Sequence, residues 1–244
     1  MGSLNGKVSL VTGASKGIGR ATALRLGEDG ANVAICATSP DLLESLRQEL
    51  EDLGVEALAE RCDVTDPSAC QSLVQHALER FGRIDILVNN AGVGFSGKIV
   101  DSDREEVELM VKVNVLGVYY MTRSVLPHML EQRSGDIVNI GSVAGLKYSP
   151  NFAVYSSTKF AVRAFSEALR NEVQGDNIRV TLIHPGMTKT VFFDSFTRGG
   201  SPVPLDKGEI LKPEDIANAI HFAVTRPEGV SANELTVRPT WQER

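Results

Sequence analysis

The sequence predicts a doubly wound, Rossmann-like α/β fold: one mainly parallel sheet of about seven strands with helices on both faces. Three observations predict it. Short β-branched runs alternate with longer helical patterns along the chain, which demands crossover helices and parallel strands. The strand segments are apolar on both faces, as in a sheet covered on both sides. The 244 residues suit one large domain, since α/β units reach about 250 residues.

Taken in order, Val8–Thr12 reads as the first strand. Residues 18–28 read as a helix with Ile18, Ala21, Thr22 and Leu26 on one face. Asn32–Ala37 is a strand, 40–53 a helix and Ala57–Arg61 a strand. Residues 66–81 form a helix, with Asp66 as N-cap and Pro67 in the first turn. A fourth strand follows at 84–88, then one or two helices within 103–130, and a fifth strand at 136–140. A long helix spans 152–173 and a sixth strand 178–183. Residues 185–208, which include Gly199-Gly200-Ser201-Pro202, read as an irregular substrate lid. Pro213–Val224 is the last helix and 235–237 the last strand.

Composition narrows the function classes. Lys and Arg number 25 against 31 Asp and Glu, a formal charge of −6, so the basic footprint of a nucleic-acid binder is missing. Cys36, Cys62 and Cys70 form no CxxC pair and read as reduced thiols of a cytoplasmic protein. The four histidines are scattered, and no metal site is expected. No apolar run approaches the ~18 residues of a membrane span. The chain enters its first strand directly, so no signal peptide is expected.

The first strand runs into Thr12-Gly13-Ala14-Ser15-Lys16-Gly17-Ile18-Gly19, and a helix follows. Glycines at this spacing permit a tight turn and close backbone approach to phosphates, and the helix N-terminus offers free N–H groups to an anion. This segment resembles the cofactor motif of the short-chain dehydrogenase/reductase family. The resemblance covers nearly the whole chain. Cys62-Asp63-Val64 is similar to the family's adenine-bordering segment, and Asn89-Asn90-Ala91-Gly92 to its Asn-Asn-Ala-Gly motif. Pro185-Gly186 resembles its Pro-Gly motif beside the nicotinamide, with Thr188 and Thr190 as carboxamide and phosphate partners.

An NAD site wants a carboxylate about 20 residues past the glycines to hold the ribose 2′-hydroxyl. That point falls at Ala37-Thr38-Ser39, and the first acid, Asp41, lies in the next helix. A 2′-phosphate would meet no like charge there. Lys16 can reach it, and Thr38 and Ser39 can donate to it, so NADP(H) is the expected cofactor. The plainer reading of Lys16 is a solvated surface lysine.

Tyr155-Ser156-Ser157-Thr158-Lys159 opens the long helix. Tyr155 and Lys159 stand at i and i+4, so both can lie on one helix face. A nearby ammonium favours a phenolate, and such a tyrosine exchanges a proton with a carbonyl or alcohol oxygen. An isolated Tyr-x3-Lys is more often a half-buried tyrosine above a surface lysine. Ser142 changes that, because it ends the fifth strand, where doubly wound folds place ligands. Ser142, Tyr155 and Lys159 resemble the family's catalytic Ser, Tyr and Lys. Asn114 resembles its fourth member, which supports a proton relay to the lysine.

The resemblance implies hydride transfer between a nicotinamide and a small carbonyl or secondary alcohol substrate. Tyr155 is then the general acid or base, Lys159 lowers its pKa, and Ser142 orients the substrate oxygen. It also implies a homo-oligomer, a tetramer or a dimer, and Ala161, Val162, Phe165 and Leu169 exceed one core-facing stripe. Val143, Ala144, Leu146, Tyr148, Phe95, Phe192, Phe193 and Phe196 suggest an apolar substrate pocket.

The front two-thirds resembles 3-oxoacyl carrier-protein reductases. The ending at 230–240 is closer to broad-specificity carbonyl reductases and 3-hydroxy acid dehydrogenases. An acidic carrier would need a basic docking patch, for which Arg123, Arg133, Arg163 and Arg170 are the candidates. A non-catalytic nucleotide sensor on the same fold is the alternative of another class.

Overall fold

A computed structural model describes residues 2–192 and 208–242. Seven parallel strands form one sheet in the order β3-β2-β1-β4-β5-β6-β7. They are β1 (Val8–Thr12), β2 (Asn32–Ala37), β3 (Ala57–Arg61), β4 (Ile86–Asn89), β5 (Gly135–Ile140), β6 (Ile178–Pro185) and β7 (Glu234–Val237). The helices are α1 (Gly17–Glu28), α2 (Pro40–Asp52), α3 (Pro67–Phe81), α4 (Arg104–Val111), α5 (Gly117–Gln132), α6 (Ala153–Val173) and α7 (Pro213–Val224).

Alternation along each strand builds two cores. Val33, Ile35, Val88, Val138 and Ile183 face α1, α2 and α7, meeting Leu26, Leu46 and Ile220. Ala34, Cys36, Leu87, Ile137 and Val180 face the other way, toward Leu73 of α3, Met121 of α5 and Leu169 of α6. The order of strand addition reverses between β1 and β4, so a crevice opens above their carboxyl ends, where doubly wound sheets bind ligands.

Local chemistry sets several boundaries. Asp66 caps α3 by accepting from Ser68 N at 2.8 Å, as its place before Pro67 predicts. Gly82, at φ 75°, ends the same helix in the left-handed region. β4 begins at Ile86 rather than residue 84, because Asp85 turns its carboxylate onto Val8 N (2.9 Å) and Lys7 Nζ (2.9 Å). The 103–130 region is two helices joined by a π-helical turn, Lys112–Leu116. β6 runs two residues beyond expectation, to Pro185.

The beginning of the expected lid is pinned: Thr188 bridges Leu211, and Lys189 N donates to Leu211 O at 2.7 Å. Phe193, Phe196 and Gly199-Gly200-Ser201-Pro202 lie outside the described residues. Among the described residues no helix is long and apolar enough to cross a membrane.

Candidate active site

β1 delivers Gly13 to the floor of the crevice at φ 63°. A Cβ there would stand 2.8 Å from Ala91 Cα, so only glycine lets the turn meet the segment after β4. At Gly19 a Cβ would collide with Asn90 Nδ2 at 2.4 Å. Asn90 ties the two segments together, its Nδ2 donating to Thr12 O (2.9 Å) and Gly13 O (3.1 Å). Thr12 Oγ1 in turn accepts from Asn90 N and Ala91 N, each at 3.0 Å. The Asn90 amide therefore braces the turn, and Asn90 itself lines the cleft beside it. At the N-terminus of α1 no side chain caps the first N–H groups, which leaves donors for an anion.

The other end of the crevice is built on β5, α6 and the π-helical turn. Ser142 follows β5, and its Oγ accepts from Ala144 N at 3.1 Å. The same hydroxyl hydrogen-bonds Tyr155, one turn into α6. Tyr155 is buried, and burial pushes its pKa up to about 12, although the Ser142 hydrogen bond pulls the other way. Lys159 is also buried; burial lowers its pKa to about 8, and Nζ donates to Ile140 O at 2.9 Å. The ammonium lies 5.8 Å from the Tyr155 ring centroid. Burial sets the direction of the Tyr155 shift, opposite to the lowering that the resemblance implies for Lys159.

Asn114 sits in the π-helical turn, a distortion that frequently marks functional sites. Its Oδ1 accepts from Val93 N (2.9 Å), and its Nδ2 donates to Val93 O (2.8 Å) and Thr158 Oγ1 (3.1 Å). Thr158 Oγ1 donates onward to Tyr155 O at 2.8 Å. Asn114 thus reaches the catalytic helix through Thr158. Gly92 lies beside both groups: a Cβ there would stand in ordinary contact, 3.4 Å from Asn114 Oδ1 and 3.9 Å from Lys159 Nζ.

One cleft of about 790 Å³ joins both ends. Its walls include Gly13, Ser15, Lys16, Gly17, Ile18, Thr38, Asp63, Val64, Ala91, Gly92, Ser142, Tyr155, Lys159, Pro185, Gly186, Thr188 and Thr190. Gly19 and Asn114 stand behind that wall rather than in it. Beyond Tyr155 the lining turns mainly apolar, with Val93, Phe95, Val143, Ala144, Phe152 and Phe192, and Lys147 and Ser149 as its polar members. Two expected pocket residues do not line it. Leu146 is half turned to solvent, and Tyr148 is 84% exposed, stacked on Phe160 outside the cleft.

Several contributors were missed. Leu109, Met187 and Gln242 line the cleft, and Gln242 Oε1 accepts from Met187 N at 3.0 Å. A buried polar chain braces the catalytic helix. Asn89 Nδ2 donates to Asn139 Oδ1 (2.9 Å), Asn139 Nδ2 to Ser166 Oγ (2.8 Å), and Ser166 Oγ to Val162 O (2.7 Å). Its signal was present: asparagines inside otherwise apolar strands must find partners.

A fold of this topology, with a glycine turn and a Ser, Tyr and Lys around one crevice, defines a nucleotide-dependent oxidoreductase. Residues 7–199 match the family described as short chain dehydrogenase. An uncharacterized oxidoreductase of Staphylococcus saprophyticus is 39% identical over 246 residues, covering 99% of each chain. A serine dehydrogenase solved in its closed form with NADP+ aligns at TM-score 0.91 with 33% identity, covering 97% of this chain and 96% of that one. A 3-ketoacyl-(acyl-carrier-protein) reductase of Brucella melitensis, solved with NADH, aligns at TM-score 0.88 with 34% identity, covering 96% and 98%. The chain belongs to the short-chain dehydrogenase family and is an oxidoreductase.

Proposed function

We propose that this protein is an NADP(H)-dependent oxidoreductase interconverting a small carbonyl compound and its secondary alcohol. The observation that carries the reading is the convergence of Ser142, Tyr155 and Lys159 where the polar nucleotide cleft meets an apolar pocket. The cleft fits a dinucleotide. Gly13 and Gly17 line it at φ 63° and 58°, where a Cβ would press on Ala91 and Thr190, and α1 begins at the same wall with no side-chain cap on its first N–H groups. When bound, the nicotinamide supplies or accepts the hydride.

The residues do the rest. The Ser142 hydroxyl holds the substrate oxygen by a hydrogen bond. Tyr155 gives its phenolic proton to the alkoxide oxygen during reduction and recovers it during oxidation. Its pKa, raised to about 12 by burial with the Lys159 ammonium already 5.8 Å from the ring, suits an acid; to serve as a base it needs further positive charge, which an oxidised nicotinamide would supply. Lys159 holds the nicotinamide ribose. Asn114 holds α6 in place through Thr158 and supports the proton path to Lys159. Asp63 and Val64 border the adenine, while Thr188 and Thr190 take the carboxamide and phosphate.

NADP(H) is favoured over NAD(H) because Lys16 and Thr38 stand exposed at the cleft's adenine end, and no acid occupies the end of β2. Neighbouring structures hold either cofactor. Free carbonyl compounds are favoured over carrier-bound thioesters, because two of the docking cations are engaged. Arg163 Nε pairs with Glu234 at 3.0 Å. Arg170 donates to Val180 O (2.9 Å) and Asn233 O (3.0 Å) and pairs with Glu167.

The Phe192 ring lies 5.9 Å from the Tyr155 ring, at the apolar side of the cleft. A homotetramer remains the proposed assembly, on family grounds. Val162 and Leu169 are spent in the core, which leaves Ala161 and Phe165 half-buried. A screen of NADPH oxidation over ketones, 3-oxo acids, sugars and 3-oxoacyl thioesters tests the function. Turnover of one or more free carbonyls is expected; turnover of carrier-bound thioesters alone overturns the substrate choice.

A further inference from the structure

Behind Ser142 runs a chain of contacts that the proposed chemistry leaves unused. His184, on β6 just before Pro185, is fully buried. Its Nδ1 lies 2.9 Å from the Ser142 carbonyl oxygen and its Nε2 2.6 Å from Glu234 Oε1. Both facing oxygens only accept, so Nδ1 donates to the Ser142 carbonyl and Nε2 donates to the Glu234 carboxylate. Glu234 opens β7, and Arg163 of α6 pairs with the same carboxylate, its Nε 3.0 Å from Oε1. Burial would raise the Glu234 pKa, yet His184 and Arg163 hold it below the ordinary carboxylate value, so the anchor is ionised.

The backbone explains why a side chain is needed there. Gly141 N donates to Ile183 O at 2.7 Å, the last β5-to-β6 bond before the catalytic serine. The next donor from β6 would be the N–H of residue 185, but Pro185 has none. The His184 ring supplies a donor one position further on. Gly141 clears the space: a Cβ there would stand 3.0 Å from His184 Nδ1. A hydrogen bond and a steric clearance therefore point independently to the same ring placement.

We propose that His184, anchored by Glu234, is a positioning residue that holds the Ser142 peptide so that its hydroxyl faces Tyr155. The inference rests on the reading of Ser142 and Tyr155 as the reacting pair. Neither ring nitrogen touches substrate; the ring acts through the serine backbone. Small displacements matter, because a shift of about 1 Å at a reacting group can cost roughly 100-fold in rate.

Three variants test this. His184→Leu removes both ring nitrogens, His184→Asn returns a donor near the Nδ1 position, and Glu234→Gln discharges the anchor. His184→Leu is expected to lower kcat for carbonyl reduction by about 30-fold or more, while the NADPH dissociation constant from fluorescence titration stays within about twofold. His184→Asn should recover most of kcat. A second reading needs no substrate: NMR of ring-labelled tyrosine, with Tyr155→Phe identifying the Tyr155 signal. That signal should move in His184→Leu, move less in Glu234→Gln, and return in His184→Asn. Wild-type kcat or an unmoved signal in His184→Leu overturns the proposal, as does failure of His184→Asn to restore either. Should His184→Leu not fold, an unmoved signal in Glu234→Gln overturns it instead. If the unmodified protein reduces no carbonyl, the proposed function falls, while the Tyr155 signal still decides the role of His184.

Discussion

At the Ser142 end of the cleft the polar side chains are buried and bonded within the protein, whereas at the Thr38 end they stand in solvent. Tyr155, Lys159 and Asn114 are each under 8% exposed. Their partners are Ser142, Ile140 O, Val93 and Thr158. Lys16 and Thr38 are exposed. The difference separates two tasks. Proton transfer needs groups fixed before the substrate arrives, in a medium that magnifies their interactions. Choosing between a hydroxyl and a phosphate on the cofactor needs only a sign of charge at the rim. Changes at the buried end should therefore act on kcat, and changes at the exposed end on cofactor affinity.

The largest expected effect is at the buried end. Tyr155→Phe keeps the ring and removes the proton donor. General acid–base contributions run to about 100–10,000-fold, and kcat should fall by roughly 1,000-fold or more. The NADPH dissociation constant should stay near its original value, since the hydroxyl is spent on Ser142 rather than on the cleft's phosphate end. Single-turnover kinetics with a fluorescence titration checks both. Residual turnover above a few per cent would place the proton elsewhere and break the division between the two ends.

The exposed end is tested by Ala37→Asp. Ala37 lines the cleft at the end of β2, beside Thr38. A carboxylate there meets a 2′-phosphate as a like charge, an arrangement that costs several kcal/mol, and instead accepts from a 2′-hydroxyl. The ratio of kcat/KM for NADPH over NADH should fall by about 100-fold, with kcat for the favoured cofactor little changed. Equal use of NADH by the unmodified protein would remove the basis for the NADP(H) choice.

The two ends also differ in how far the sequence revealed them. The glycine turn, Asp63-Val64, Ser142 and the Tyr155–Lys159 spacing were legible because each is a short pattern attached to one strand or helix end. The parallel, doubly wound sheet followed from alternation, and every strand falls within two residues of its expected place. What the sequence did not show depends on contacts between distant segments. Asn89, Asn139 and Ser166 join three elements into one buried chain that no local pattern reports. The π-helical turn at Asn114 was hidden, since it breaks no hydrophobic period. Tyr148 looked like a pocket residue by position alone, and packing against Phe160 places it outside. The raised pKa of Tyr155 was missed because spacing reports the lysine's proximity but not the water excluded around both.

Burial at the catalytic end has a cost that can be measured. Lys159 falls from the ordinary 10.5 to about 8, so the folded state releases a proton that the unfolded chain still holds between those values. Below pH 8 both states are protonated and the folded protein carries the full penalty of a buried charge. As pH rises from about 8 to 10.5 the penalty is relieved. The shift corresponds to about 3 kcal/mol, offset in part by the bond to Ile140 O, worth about 1 kcal/mol. Lys159→Met should therefore raise Tm at pH 7 by a few degrees and inactivate the enzyme. Its advantage over the unmodified protein should shrink toward pH 10. A variant less stable at pH 7, or a gap independent of pH, would show that the ammonium is not penalised where it stands.

The smallest expected effect tests whether the exposed end acts by charge alone. Lys16 precedes α1, is exposed, and has a β conformation at φ −160°, so its removal disturbs no core contact and no strained backbone. Exposed ion pairs are worth about 0.2–1 kcal/mol, and on that scale Lys16→Ala should raise KM for NADPH by roughly twofold to fivefold. The kcat should not change, because Tyr155 and Lys159 make their bonds at the other end of the cleft. KM for NADH should not change either, since only the 2′-phosphate adds charge beside this residue. Raising the ionic strength should erase the difference between Lys16→Ala and the unmodified protein, because a pair in solvent is screened within about 10 Å at 0.1 M salt. A loss of kcat in Lys16→Ala, or an equal loss for both cofactors, would mean that the turn carries structure into the catalytic end, and the two ends could no longer be treated as separate.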